Sequence, residues 1–95
     1  MFDPSRHVPP WEGYRSLPTA ACGEPVLAAR RPIPVQVWVI DATGKDRCIH
    51  AQATAWTTRA VRVTYTDDRG RIGMIWVWAS AVARDAPSPR YRSRR

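Results

Sequence analysis

The chain has 95 residues, of which 44% are hydrophobic, and it carries a formal net charge of +7. A chain of this length forms one small domain, and it contains no apolar run near the roughly 20 residues that span a bilayer. The first ten residues lack the apolar segment of a secretory signal, which indicates a cytoplasmic protein. Cys22 and Cys48 are too few for a small secreted disulfide framework, so we expect two reduced thiols.

The basic residues are 14 arginines and one lysine. Four of these arginines lie among the last six residues, so that residues 1–89 carry a net charge of only +3. A basic excess points to nucleic acid, an anionic membrane surface or an acidic protein as partner. Abundant Ala, Arg, Val and Pro with almost no Lys also has a neutral explanation, because a GC-rich coding sequence produces the same bias.

Proline marks the domain organisation. Seven of the nine prolines fall in residues 1–34, the other two are Pro87 and Pro89, and residues 35–86 contain none. Proline is excluded from central strands because it cannot donate to a β-ladder. The pattern predicts a Pro-rich arm packing on the barrel (residues 1–32), a folded β-barrel (33–85) and a disordered basic tail (86–95).

The first two predicted strands cover residues 33–40 and 48–58, with a polar turn at 41–47 between them. In the first strand Val35, Val37 and Val39 share one face by the period of two. Residues 26–31 form either one helical turn or the lead into this strand. The alanines of the second strand also fit a helix, but its clustered threonines and the lack of a helix cap favour a strand.

The second half of the chain alternates more clearly. Residues 60–66 predict a third strand with Val61, Val63 and Tyr65 facing inward. The Asp-Asp-Arg-Gly sequence at 67–70 predicts a tight hairpin in which Gly70 takes a positive φ. A fourth strand at 72–78, a single turn at 79–81 and a short last strand at 82–84 complete the pattern.

Both faces of the fourth predicted strand are apolar. One face belongs to the interior, and the other adds two tryptophans to the outside of the barrel. An exposed aromatic cluster marks a binding surface, unless the arm, through Trp11 and Tyr14, covers it as a second small core. The residues of this predicted aromatic surface are Trp38, Trp56, Trp76 and Trp78.

From Trp56 to Gly70 and through Trp-Val-Trp-Ala-Ser-Ala-Val-Ala-Arg at 76–84, the chain resembles small SH3-like barrels of the Tudor and KOW type. The resemblance covers residues 33–84 and rests on strand order, the hairpin and the closing turn. The ending and the composition are also similar to small proteins of actinobacteria and their plasmids and phages. The resemblance implies an all-β, SH3-like barrel of about five antiparallel strands that binds nucleic acid or peptides and rarely catalyses.

No residue pattern supports catalysis, a metal or a cofactor. Cys48 and His50 are neighbours on one strand face, but a lone Cys-x-His outside any nucleophile motif favours a structural pair. With His7 and Cys22 they offer only one closely spaced ligand pair, whereas structural zinc sites use two. The glycines form no phosphate-binding loop, and turn formation explains the adjacent Asp67 and Asp68. We therefore expect a protein that is not an enzyme.

Two binding hypotheses remain. The first is non-catalytic nucleic-acid binding, with DNA as the lead ligand, through arginines that neutralise phosphates and tryptophans that stack on bases or wedge into a duplex. The second is a protein-interaction module, in which the tryptophan-rich face takes a peptide or a second copy, so that the protein is a monomer or a homodimer. The predicted nucleic-acid-binding residues are Arg59, Arg62, Arg69, Arg71, Arg90, Arg92, Arg94 and Arg95.

Overall fold

The computed structural model describes residues 6–84. The predicted tail at 86–95, with Arg90, Arg92, Arg94 and Arg95, lies outside these residues. The structure contains five strands, a four-residue helix α1 (Thr19–Cys22) and a 3₁₀ turn (Ala79–Ala81). The strands are β1 (Leu27–Ile40), β2 (Asp46–Trp56), β3 (Ala60–Thr66), β4 (Ile72–Trp78) and β5 (Val82–Arg84).

All strand pairs of the sheet are antiparallel, and the strand order is β4-β3-β2-β1-β5. The prediction of a small all-β protein with about five antiparallel strands is therefore confirmed. The sheet is compatible with a barrel-like fold but is not closed, because β4 and β5 form its two edges. The 3₁₀ turn carries the chain from one edge to the other.

The second half of the chain has the predicted element bounds. Residues 60–66, 72–78, 79–81 and 82–84 adopt the predicted structures. The hairpin between β3 and β4 closes as expected, since Gly70 has φ of 79° and donates its N–H to the carbonyl of Asp67 at 3.0 Å. The strict alternation of β3 and the glycine turn leave little freedom in the register of this hairpin.

The first strand begins earlier than residue 33, because residues 26–31 lead into the sheet instead of forming a helical turn. Leu27 and Ala28 pair with the end of β2, and a bulge separates them from the regular register that starts at Ile33. Pro32 and Pro34 thus lie inside β1. The proline rule still holds locally, because β5, as far as the structure describes it, pairs with residues 35–37 of β1 and leaves this stretch bonded on one side.

The second strand covers 46–56, two residues earlier at each end than predicted. It ends at the β2–β3 turn, where the N–H of Thr57 donates to the carbonyl of Ala60 at 2.8 Å and the side chain of Thr57 adds further hydrogen bonds. The Thr57 hydroxyl accepts from the N–H groups of Arg59 at 3.1 Å and Ala60 at 3.0 Å, and it donates to the carbonyl of Cys22. This buried threonine therefore also ties α1 to the sheet. Pro18 and Gly23, which bracket α1, were the sequence signals for this unpredicted turn.

The core follows the predicted alternation. Val35, Val37 and Val39 of β1 are buried, and Val63 and Tyr65 of β3 face them. Burying one such aliphatic side chain contributes about 1.5–3 kcal/mol. The small inward residues of β2 leave room for larger neighbours, as expected for a narrow barrel. They are Ala51, Ala53 and Ala55.

Part of the predicted arm, residues 7–17, runs along the outside of β4 and reaches β1. From here on, the N-terminal arm means these residues. The N–H of Val8 donates to the carbonyl of Ile72 at 2.9 Å. Further along, the N–H of Leu17 donates to the carbonyl of Trp76, and the N–H of Arg15 donates to the carbonyl of Ile40, both at 2.9 Å. Because Trp76 lies on β4 and Ile40 ends β1, the arm bridges two strands that are not neighbours in the sheet.

A tyrosine in the core fixes the path of the arm. Tyr65 lies opposite Gly73 in the β3–β4 ladder, and a Cβ on Gly73 would lie 2.2 Å from Cζ of Tyr65. The absence of a side chain at Gly73 lets the ring lie flat against β4. On its other side the ring contacts Tyr14, with ring centroids 4.7 Å apart and an interplanar angle of 52°. Such tilted aromatic pairs contribute about 0.5–1.5 kcal/mol beyond the area they bury.

This geometry predicts that Gly73→Ala destabilises the protein. The added methyl group overlaps the Tyr65 ring, and we expect the free energy of unfolding to fall by about 1–3 kcal/mol, as for other overpacked sites. Urea unfolding followed by circular dichroism measures the loss. In the double variant Gly73→Ala/Tyr65→Leu the ring is gone, so the loss should be smaller than the sum of the single losses. Additive losses would contradict the overlap.

Candidate functional site

Three of the four predicted aromatic residues meet in one groove between β1 and β4. The groove has a volume of about 280 Å³ and is open to solvent. We call it the tryptophan groove and define it by the apolar lining residues that are not buried. These are Leu17, Trp38, Ile40, Trp76, Trp78 and Ala81.

The indoles of the tryptophan groove remain accessible. Trp38 is 60% exposed and Trp78 is 47% exposed, whereas Trp76 is half-buried. Large aromatic side chains with this exposure, gathered on one concave surface, are typical of binding sites. The sequence alternation had placed all three on the outer face, and the curvature of the sheet brings them together.

The fourth residue of the predicted aromatic surface lies elsewhere. Trp56 is the last residue of β2, is half-buried, and pairs with Leu27 on β1 and Val61 on β3. A register shift between Ala53 and Ala55 precedes it. After this shift Trp56 is opposite Val61, which packs against the core, so a shared outward parity did not suffice to place Trp56 in the groove.

The arm covers part of the aromatic face, but not with the residues proposed from the sequence. Trp11 is 77% exposed and Tyr14 packs on Tyr65. The covering residues are Ser16 and Leu17. The N–H of Trp76 donates to the hydroxyl of Ser16 at 2.9 Å, so the edge of β4 is bonded by the arm while two indoles stay exposed.

Three of the predicted arginines lie on or near β3. Arg62 is opposite Trp76 in the β3–β4 ladder, and its Nε donates to the hydroxyl of Thr54 at 3.0 Å. Arg59 is exposed in the β2–β3 turn and lies against Gly23. Arg69 is exposed at the tip of the β3–β4 turn. Of these three, Arg62 lies nearest to the groove in register.

Arg71 has a different environment. Its Nη2 lies 2.9 Å from Oε1 of Glu12, and its Nε lies 2.8 Å from Oδ2 of Asp67, with its side chain only 17% exposed. The hydrogen bond to Glu12, followed by the one to Asp67, raises the pKa of Arg71 above its ordinary value. This guanidinium is therefore engaged in holding the arm to the β3–β4 turn.

Arg15 and Leu17 are site residues that the sequence reasoning missed. Both line the tryptophan groove, and Arg15 is exposed. The signal that could have found them is the short run Tyr-Arg-Ser-Leu between Gly13 and Pro18, where an apolar residue recurs three positions after the tyrosine in an otherwise polar stretch. Four residues are too few for periodicity to identify an extended segment.

The remaining candidate groups lie apart from the groove. Cys22 is a buried free thiol and Cys48 an exposed one, and His50 is exposed on the same face of β2 as Cys48. Over residues 6–84, no three His, Cys, Asp or Glu side chains gather in a way that could hold a metal ion. The part of the chain that the structure describes also has no helix of the length and apolar character needed to cross a membrane.

Comparison with known proteins gives no relative. The chain matches no protein-family model, no curated protein and no solved structure. The geometry of the tryptophan groove is therefore the basis for any functional conclusion.

The ionic contacts at the β3–β4 turn predict a loss of stability in acid. Burial opposes ionisation of Asp67, but hydrogen bonds from the N–H groups of Arg71 and Arg69 and from the Arg71 side chain outweigh it, so the pKa of Asp67 is lowered. A depressed folded-state pKa stabilises the fold above the unfolded value of about 3.9. That contribution is lost as the pH falls through the folded pKa.

We therefore expect the melting temperature to decrease below about pH 4, and Asp67→Asn to reduce this decrease. Part of it should remain, because hydrogen bonds from the side chain of Thr43 and the backbone of Lys45 likewise lower the pKa of Asp41. Thermal melts between pH 7 and pH 3 measure the effect. Asp68→Asn makes the same change in charge and is the control; an unchanged acid dependence in Asp67→Asn would contradict the assignment.

Proposed function

We propose that this protein is a non-catalytic nucleic-acid-binding accessory protein that takes single-stranded DNA in the tryptophan groove. The observation that carries the proposal is the presence of three indoles on one solvent-open groove. Stacking of a base on an aromatic side chain contributes about 1–3 kcal/mol and tolerates any sequence. We further propose a cytoplasmic role, in the actinobacterial or mobile-element setting that the sequence resemblance implies.

The shape of the groove supports a single strand over a duplex. A wedge that unstacks a duplex step requires an apolar side chain that protrudes into the minor groove. Trp38 and Trp78 instead line the walls of a concave surface, where separated bases can enter. Stacking of unpaired bases is therefore the mode of binding that we favour.

Arginines on and beside β3 supply the electrostatic part of the proposal. Arg62 lies opposite Trp76 on the neighbouring strand, and Arg59 and Arg69 are exposed in the turns at either end of β3. We assign phosphate contacts to these three residues and to the four arginines at positions 90–95. Arg71 would have to leave Glu12 and Asp67 to reach a phosphate, so we assign it a structural role.

The alternative function, a protein-interaction module, would use the same groove. Exposed indoles such as Trp38 and Trp78 also suit an extended peptide or a second copy of the chain. The two functions differ in their dependence on charge, because neutralising phosphates makes binding fall steeply with salt concentration. Titrations at several salt concentrations therefore distinguish them.

Binding is predicted to depend on the exposed tryptophans of the groove. With a fluorescein-labelled 15-mer of deoxythymidine, we expect Trp38→Ala and Trp78→Ala each to weaken binding roughly fivefold to a hundredfold, the equivalent of one lost stacking contact. Fluorescence anisotropy measures the affinity. Trp11→Ala is the matched control, because Trp11 is 77% exposed and does not line the groove. No binding of the unmodified protein to single-stranded or duplex DNA at low salt would refute the proposal.

Binding is also predicted to depend on the basic tail at residues 86–95. A version ending at Pro89 lacks four arginines, and each phosphate contact to a single strand contributes about 0.7 to the slope of log affinity against log salt. We expect the slope to become shallower by up to about 3, with affinity reduced most at low salt. Equal slopes for the full chain and the shortened version would show that these arginines do not contact phosphates.

A further inference from the structure

We infer that the N-terminal arm forms one wall of the binding site. In this arrangement Arg15 contacts the phosphate backbone of the bound strand, and Glu12 and Arg71 are positioning residues that hold the arm in place. The inference rests on the proposed nucleic-acid function for the identity of the ligand. The construction of the groove by the arm, in contrast, is a property of the fold alone.

The position of Arg15 complements that of Arg62. β4 is an edge strand, with β3 on one side and the arm on the other. Trp76 is therefore flanked by Arg62 on β3 and by the arm segment that begins at Arg15. Arg62 is bonded through its Nε to Thr54 on β2, whereas Arg15 lines the groove itself. Arg15 is therefore the guanidinium that a strand stacked in the groove would meet, and a cationic side chain beside stacking aromatics is the combination that single-strand binding uses.

The backbone around Arg15 is held at three points. Its own N–H donates to the carbonyl of Ile40 at 2.9 Å, and the N–H of Leu17 donates to the carbonyl of Trp76 at 2.9 Å. The hydroxyl of Ser16 accepts from the N–H of Trp76 at 2.9 Å. These bonds fix where the exposed side chain of Arg15 emerges, so it lines the groove instead of extending freely from a mobile segment.

Glu12 and Arg71 hold the preceding part of the arm. The Arg71 guanidinium joins Glu12 on the arm to Asp67 on the β3–β4 turn, and Tyr14 rests on Tyr65 two residues further along. Release of these contacts would remove one wall of the groove and the Arg15 charge together. By linkage, a ligand that contacts this wall must in turn stabilise the docked arm.

The test of Arg15 uses a matched arginine. In salt titrations with the 15-mer of deoxythymidine, Arg15→Gln should reduce the salt slope by about 0.7, the loss of one phosphate contact. Arg30→Gln makes the same change in charge on exposed β1, about 25 Å along the strand from Trp38, and should leave the slope unchanged. Arg15→Lys should restore it. Equal effects of Arg15→Gln and Arg30→Gln would overturn the assignment while leaving the proposed function intact.

The test of the positioning residues needs no ligand. Amide hydrogen exchange at Leu17 reports whether the arm is docked on β4, and Glu12→Gln should accelerate it about twofold to fivefold, as expected for loss of one exposed ion pair. Glu24→Gln, an exposed carboxylate removed with the same change in charge, should not. Saturating oligonucleotide should slow the exchange at Leu17. An unchanged rate in Glu12→Gln, or no effect of bound oligonucleotide, would overturn the inference.

A more severe variant links docking to affinity. Glu12→Gln/Tyr14→Ala removes both contacts, and its fold can be checked by circular dichroism. The loss of a negative charge by itself would tighten binding to DNA, whereas loss of the groove wall weakens it. We expect weaker binding than in Glu24→Gln; tighter binding would show that the arm is not part of the site. If the unmodified protein binds no oligonucleotide, the proposed function and the role of Arg15 fail together, and Leu17 exchange still decides the role of Glu12.

Discussion

The contact between the Tyr65 ring and the backbone of Gly73 determines how the N-terminal arm packs on the sheet. With no side chain at Gly73, the ring lies against β4 and reaches through to Tyr14 of the arm. Tyr65 is almost completely buried, and this burial raises the pKa of its hydroxyl. One side chain thereby belongs both to the core and to the anchor of the arm, so the packing of the core sets the path of the arm.

The arm then does what a sixth strand would otherwise do. The sheet leaves β4 and the end of β1 without a common ladder, and Arg15 and Leu17 bond to Ile40 and Trp76 across that gap. The arm makes only a few single hydrogen bonds here. A complete strand would form a full ladder, and its side chains would cover the neighbouring tryptophans. The tryptophans that flank the gap consequently keep large exposed fractions. A groove lies where the first and last strands of a closed barrel would pair.

Local sequence signals predicted much of this structure. The bounds of β3 followed from the strict alternation of its residues, and the start of β4 followed from the glycine at position 70 and from the β-favouring residues after it. The starts and ends of β1 and β2 did not, because a bulge admits prolines into β1 and the side chain of Thr57 stops β2. These effects depend on pairing partners that a propensity pattern does not include.

The candidate site was predicted in its composition but not in its assembly. The parity of the strands placed Trp38, Trp76 and Trp78 on the outer face, yet it could not show that curvature brings β1 and β4 together or that Trp56 turns away. The ion pair of Arg71 with Glu12 could not be predicted either, since the two residues are 59 positions apart in the chain. Contacts over such separations depend on the folded topology and not on neighbouring residues.

The prolines inside β1 affect whether this strand can pair with other copies of the chain at high protein concentration. Within residues 6–84, no strand pairs with β1 on the β5 side before Val35, and an unpaired strand edge invites another chain to add as a strand. Pro32 and Pro34 carry no N–H, and the bulge before Ile33 distorts the same stretch. This stretch of β1 is thus a poor template for the cross-β growth that leads to amyloid.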